Sequence, residues 1–270
     1  MKLSTLANLL EGGAAVSDVS RIKKEFIAPT LKEFKKQVLD KIGIKDFEPI
    51  GSTGKKSESG DVDVAVELPT DMDHKEVYKR VDSLGFERSK SISPSVMSIK
   101  FPIYDEKGNK TDKFAQIDLM FGKREWLKFG YWAPEEGTSK YSGTYRNMLL
   151  AAIIRYAREM KGKPGKTWAL DLSRGITRKT RKMITTKKGE PKEVVAAKTF
   201  ITNEPEKLVK LLNAATNANW KVDDFTSSFE DLWAKTKKAF PGEVVDKIKE
   251  YVQQGAANTK KEIPVMEEIR

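Results

Sequence analysis

Ile50-Gly51-Ser52-Thr53-Gly54-Lys55-Lys56-Ser57-Glu58-Ser59-Gly60-Asp61-Val62-Asp63-Val64 is the stretch that decides the fold. A turn of small residues leads through two lysines into an alternating run, and alternation is the mark of a strand. Strand side chains point to opposite faces in turn. Asp61, Asp63 and Ala65 therefore share one face, and Val62, Val64 and Val66 turn to a core on the other. Neighbouring carboxylates repel and favour protonation. A hard divalent cation removes that conflict, and magnesium takes one or two carboxylates together with substrate phosphates. Gly51, Ser52 and Gly54 let backbone N–H groups approach an anion closely, and Lys55 and Lys56 add positive charge. Acids for a metal beside a turn for phosphate are the equipment of phosphoryl or nucleotidyl transfer.

A third acid follows downstream. Ser98-Ile99-Lys100-Phe101-Pro102-Ile103-Tyr104, the turn-like Asp105 to Lys110, and Phe114-Ala115-Gln116-Ile117-Asp118-Leu119-Met120-Phe121 read as a hairpin. In its second arm Ile117, Leu119 and Phe121 share the apolar face, while Gln116, Asp118 and Met120 share the other. Asp61, Asp63 and Asp118 on adjacent strands suit two metal ions roughly 3.5–4 Å apart, the spacing of in-line displacement at phosphorus.

Gly-Ser, eight residues, Asp-Val-Asp, and a later Ile-Asp-Leu on a strand resemble the nucleotidyltransferase fold of the DNA polymerase beta superfamily. Glu58 to Val64 is similar to the Ser-Gly-Asp-x-Asp-Val run of the X family of DNA polymerases. The likeness extends over roughly residues 47–212. It takes in Trp126, Tyr131-Trp132 and Lys140-Tyr141-Ser142-Gly143-Thr144, then Leu170 to Gly175, a hairpin, and Ile201 to Leu208. The resemblance implies an α/β fold: a palm with a mixed sheet flanked by helices, and a small thumb-like subdomain. It implies Asp61, Asp63 and Asp118 as catalytic metal ligands, and two magnesium or manganese ions as cofactors. It implies Gly51, Ser52, Lys55, Lys56 and Gly60 as nucleotide-binding residues, with Tyr141, Ser142 and Gly143 beside the nucleotide sugar. The activity implied is addition of nucleotides from a nucleoside triphosphate to a DNA or RNA 3′-hydroxyl, in repair or replication. The sequence departs from the family at Gln116, where an arginine is frequent, and at Lys140-Tyr141, where two aromatics are usual. Arg146 and Asn147, early in the next helix, lie where they could reach the base.

Four segments follow from this reading: an N-terminal helical segment 1–46, a palm 47–135, a thumb-like subdomain 136–216, and a helical tail 217–270. In the first, Leu3, Leu6, Leu9 and Leu10 share a helical face ending at Gly12-Gly13. Ser17 or Asp18 is placed to cap a helix from Val19 to Ile42 that Pro29 should kink or divide. Phe47 to Ile50 reads as a strand, His74 to Leu84 as a helix closed by Gly85, and Phe86 to Met97 as a strand. Met148, Leu149, Ala152, Ile153, Tyr156 and Met160 set a helix over 144–160, ended by Gly162-Lys163-Pro164-Gly165. Pro205 suits the first turn of a helix to Leu212. Pro241-Gly242 divides the tail helices, and the last ten residues are expected to fray.

Net charge is +11 over 270 residues. Residues 155–198 hold fourteen Lys/Arg against four Asp/Glu, which is nearly the whole excess. A concentrated basic stretch is the footprint of a polyanion partner. Arg178, Lys179, Arg181 and Lys182 are its candidate nucleic-acid contacts. Zero cysteines exclude disulfides and thiolate sites, and a single histidine, His74, excludes a multi-histidine zinc site. The five tryptophans read as core. No run approaches the ~20 apolar residues of a membrane span, and residues 1–10 are too short and polar for a signal peptide. These features point to an intracellular protein without a membrane partner. Two alternatives to a polymerase-like enzyme stay open at this point. One is a transferase acting on RNA ends or small acceptors. The other is a non-catalytic nucleic-acid-binding protein.

Overall fold

The computed structural model describes residues 15–160, 166–185, 189–216 and 218–266. The leucine face at 3–10, the Gly12-Gly13 stop, the 162–165 turn and the tip of the basic hairpin at 186–188 lie outside them. The fold is mixed α/β, as expected, and divides into two compact units, Met1–Lys140 and Tyr141–Arg270.

In the first unit, a two-residue strand β1 (Ile22–Lys23) leads into helix α1 (Lys24–Phe34). A π turn over Lys35–Leu39 and the short α2 (Asp40–Ile42) continue it. The sequence places this helix too early. It starts at Lys24 with no side-chain cap, so neither Ser17 nor Asp18 caps it, and Ile22–Lys23 is strand. Nor does Pro29 divide it: the proline removes one backbone donor, and the buried face Ile27, Leu31 and Phe34 holds the turns together. The irregularity falls six residues later, at the π turn.

β2 (Phe47–Pro49), β3 (Glu58–Ser59), β4 (Val62–Val66), α3 (His74–Ser83), β5 (Val96–Tyr104) and β6 (Lys110–Phe121) follow. Asp73 caps α3 through the Glu76 amide. Residues 86–95 contribute only an isolated bridge, Arg88 to Ile99, and not the strand expected there. The sheet runs β2-β4-β6-β5, and β4 and β6 are its parallel pair. Alternation sorts the side chains as read from the sequence. Val62, Val64 and Val66, with Ile117, Leu119 and Phe121, lie in one core beneath Ile27, Leu31, Phe34 and Val38. Each such buried aliphatic contributes roughly 1.5–3 kcal/mol. On the opposite face Ile50, Ala65 and Met120 pack against Leu127 of α4 (Arg124–Gly130), which leaves the acid end of that face to polar groups.

The second unit is built on α5 (Gly143–Met160), buried on every side from Tyr145 to Ile154. A helix buried all round belongs in a core, and Arg146 and Asn147 are the polar exceptions in this stretch. β7 (Lys166–Asp171), β8 (Gly175–Thr185) and β9 (Pro191–Thr202) form an antiparallel sheet in that order. Beyond Thr180 the sheet narrows to the β8–β9 ribbon. Then come α6 (Pro205–Thr216), α7 (Val222–Phe225), α8 (Phe229–Ala239) and α9 (Gly242–Asn258). Gly255 of α9 sits against Met148, where an added Cβ would meet the sulfur at 3.2 Å. Trp126, Trp168, Trp220 and Trp233 are buried and Trp132 is half-buried. The expected fraying does not reach Met266, whose carbonyl accepts the Trp233 indole N–H at 3.0 Å.

Candidate metal centre

Asp63 and Asp118 are cross-strand partners on β4 and β6, and Asp61 immediately precedes β4. The parallel register therefore brings all three acids to one end of one sheet face. An oxygen from each lies within 4.8 Å of the others, a grouping able to hold a metal ion. The chemistry of the set fits a hard cation: three carboxylates, half-buried, with no nitrogen or sulfur donor among them.

The turn before β4 folds back on Asp63. The Ile50 amide donates to the Asp63 carbonyl at 3.0 Å. Thr53 Oγ1 accepts the Asp63 N–H at 2.9 Å and donates to its carbonyl at 3.3 Å. Gly51 has φ of 66°, and a Cβ there would stand 2.8 Å from Asp63 Oδ2. Only glycine meets both demands. Asp118 is fixed differently: the buried Gln116 donates its Nε2 to both carboxylate oxygens, at 3.0 and 3.2 Å, while its Oε1 accepts the Ala15 N–H at 2.8 Å.

Burial raises all three acids. It lifts Asp118 to about 6, with the Asp61 charge adding to the rise and hydrogen bonds from Ser98 and Gln116 opposing it. Asp63 is raised well above the ordinary carboxylate range, first by burial and then by its two acidic neighbours. Asp61 is raised less than Asp63, and both Arg21 and Lys56 act on it in the opposite sense. A cluster raised in this way is one that a divalent ion would relieve.

The remaining candidates fare unevenly. Lys55 is committed: its Nζ donates to the Ala133 carbonyl at 2.5 Å and lies 5.3 Å from the Trp132 ring centre, and burial lowers its pKa. Lys56 is exposed close to Asp61. The Ser52 carbonyl accepts the Lys55 N–H within the turn, and Gly60 is exposed beside Asp61. Tyr141, Ser142 and Gly143 belong to the second unit. There the Tyr141 ring packs 4.8 Å from Phe229, and the Ser142 carbonyl takes the Tyr145 N–H in the first turn of α5. Arg146 does not present itself to a ligand. It is 1 % exposed, its guanidinium is given to the Phe225 carbonyl and to Asn147 Oδ1, and burial lowers its pKa to about 9.

On β8, Lys182 is exposed, Arg178 is half-buried, Arg181 pairs with Glu193 at 2.5 Å, and Lys179, expected as a nucleic-acid contact, is buried where β7 still pairs with the strand. Sequence reading missed Thr53, the bracing role of Gln116, and Arg21. The spacing of Thr53 ten residues before Asp63 carries no recognisable signal. Arg21 sits in a segment read as helix.

No family model and no curated protein matches the chain. Among solved structures the chain is similar to Leishmania infantum polymerase beta in a ternary gap complex, with a TM-score of 0.37 and 14% identity over 63% of this chain. The match spans 59% of the length of that polymerase chain. No helix among the described residues is long and apolar enough to cross a membrane.

Proposed function

We propose that this protein is a metal-dependent nucleotidyltransferase resembling the X-family DNA polymerases, which joins a nucleoside monophosphate from a triphosphate to a nucleic-acid 3′-hydroxyl. The observation that carries the reading is the convergence of Asp61, Asp63 and Asp118 at one end of a parallel strand pair, beside a glycine turn that only fits without a side chain. Asp61, Asp63 and Asp118 would hold two divalent ions, magnesium or manganese. Bound there, such ions supply positive charge for a triphosphate and acidify a hydroxyl.

The chain's own part is positioning. Thr53 and the Ile50 amide fix the backbone of Asp63, and Gln116 fixes both oxygens of Asp118, so the acids do not reorganise when charge develops. Gly51 and Ser52, with Lys56, line the approach for the phosphates. Asp118 faces the incoming hydroxyl. That hydroxyl gives up its proton to solvent and its oxygen bonds to the α-phosphorus, as the bond from the α-phosphorus to the β-phosphate oxygen breaks and pyrophosphate departs with that electron pair. The β8–β9 pair is assigned to the polymer through Arg178, Arg181 and Lys182, and Lys179, which is buried, is left out of the contact set. The charge of the pair favours a nucleic-acid acceptor over a small one. Incubating labelled DNA and RNA strands, single and templated, with each nucleotide and magnesium or manganese tests this. Extension of at least one strand is expected; none under any metal refutes it.

A further inference from the structure

Gln116 braces Asp118, and the brace is itself held by a segment distant in the chain. Gln116 is buried, and its amide can face Asp118 with either end. A backbone N–H can only donate. The Ala15 N–H, 2.8 Å from Oε1, therefore takes the oxygen end and leaves Nε2 to both carboxylate oxygens of Asp118. The orientation of the brace is thus set from residue 15.

The rest of the segment is tied down around the same spot. Lys100 on β5 is the cross-strand partner of Gln116. Its Nζ lies 3.3 Å from Glu87 Oε2 and 3.7 Å from Asp18 Oδ2, over the Phe114 ring at 5.3 Å. The Lys100 side chain is only 13% exposed, so water screens these pairs less than it screens surface pairs. Ser17 Oγ donates to Glu87 Oε1 at 3.2 Å, and the Ser20 N–H donates to the Phe114 carbonyl at 2.7 Å. Between them Asp18 turns the chain with φ of 53°, a left-handed conformation seldom held by residues other than glycine, asparagine and aspartate. The ties converge. They end on Gln116, on its partner Lys100, on Glu87, whose carbonyl accepts the Lys100 N–H, and on Phe114 two residues before Gln116.

We infer that residues 15–20 form a positioning strap of the metal centre, latched by Lys100, whose Ala15 amide orients Asp118 through Gln116. This rests on the nucleotidyltransferase reading above for the ion and nucleotide that load the centre. Lys100 touches neither; it acts through the strap.

Charge and strap make opposite demands on Lys100. Deleting a cation near three carboxylates strengthens the binding of a divalent ion by Coulomb's law. Loss of a latch weakens it, because groups that orient metal ligands are worth about 10–100-fold in affinity. Manganese affinity in saturating ATP is measured by electron paramagnetic resonance on the full chain, at a temperature where melting in chelator shows every variant folded. Gln116→Met should weaken manganese about tenfold and Lys100→Met about three- to tenfold, with Lys100→Arg recovering most of the loss. The double variant Lys100→Met/Gln116→Met should be no weaker than Gln116→Met alone, since both changes break one chain of contacts. Ala15→Pro, which removes only the N–H, should match Lys100→Met, and Ala15→Gly, which keeps it, should match the wild type; this pair decides the matter if Lys100→Met does not fold. Manganese bound as tightly by Lys100→Met or Ala15→Pro as by the wild type, or losses that multiply in the double variant, overturn the strap. A wild-type protein that takes up no manganese with ATP or any other nucleoside triphosphate removes the nucleotidyltransferase reading, and the strap with it.

Discussion

Replacing Asp118 with asparagine should stabilise the metal-free protein at neutral pH, although it removes a residue central to the site. Asp118 titrates at about 6 in the folded chain, and an unfolded aspartate titrates at about 3.9. Because the folded-state value is raised, the folded protein holds the proton more tightly than the unfolded chain. Stability from this group is therefore retained below about pH 4 and lost as pH climbs through about 6. The difference between the two values corresponds to roughly 3 kcal/mol. Asparagine escapes that penalty but returns part of it. Its Oδ1 still accepts from Gln116 Nε2, whereas its amide meets that same nitrogen, donor against donor, and Gln116 cannot flip without losing the Ala15 N–H. One mismatched hydrogen bond costs about 1 kcal/mol. The net expectation in chelator at pH 7.5 is a gain of about 1–2 kcal/mol for Asp118→Asn. Near pH 4 the gain should vanish or reverse. Urea denaturation at the two pH values reads both quantities. Equal destabilisation of Asp118→Asn at pH 4 and 7.5 would refute the reasoning, because it would mean that the carboxylate bears no ionisation penalty.

Gly51→Ala should cost about 1–3 kcal/mol from positive φ and from displacement of Asp63 Oδ2, and should weaken magnesium binding, measured by denaturation and by calorimetry. Thr53→Val removes both side-chain hydrogen bonds to Asp63; about 1–2 kcal/mol of stability should go, with a fall in kcat larger than any change in nucleotide KM. Arg146→Met should lower stability by about 1–3 kcal/mol while leaving nucleotide affinity unchanged, since the Phe225 carbonyl loses its buried donors. Alanine at Arg178, Arg181 and Lys182 together should flatten the log–log salt dependence of strand binding by about 0.7–0.9 for each phosphate no longer neutralised. A slope that does not change would take the ribbon out of the polymer site.

The acid face was legible because β4 and β6 alternate: a large apolar residue at every second position, Val62, Val64 and Val66 on one and Ile117, Leu119 and Phe121 on the other, leaves one orientation for the acids. That argument needs no tertiary information. Where residues act through distant partners, local pattern gave less. Lys55 reads as a free cation until Ala133 and Trp132 are folded against it. Arg146 reads as a polar residue early in a helix, and only the return of α7 supplies the Phe225 carbonyl that buries it. The 19–23 segment has helical apolar spacing, yet pairing with β3 and the Ser20–Phe114 bond hold it extended, a tertiary override of local preference. Likewise Phe86 to Met97 alternates well enough for a strand, but within residues 86–95 only Arg88 finds a bridge partner.

Manganese titration followed by electron paramagnetic resonance, with and without a nucleoside triphosphate, tests the central claim most directly. The wild-type chain should take up manganese in the presence of nucleotide, and Asp63→Asn, with a melting temperature in chelator no lower than that of the wild type, should lose most of that binding. Manganese uptake that is the same in both proteins, or undetectable in the wild type at millimolar metal and nucleotide, would contradict the account.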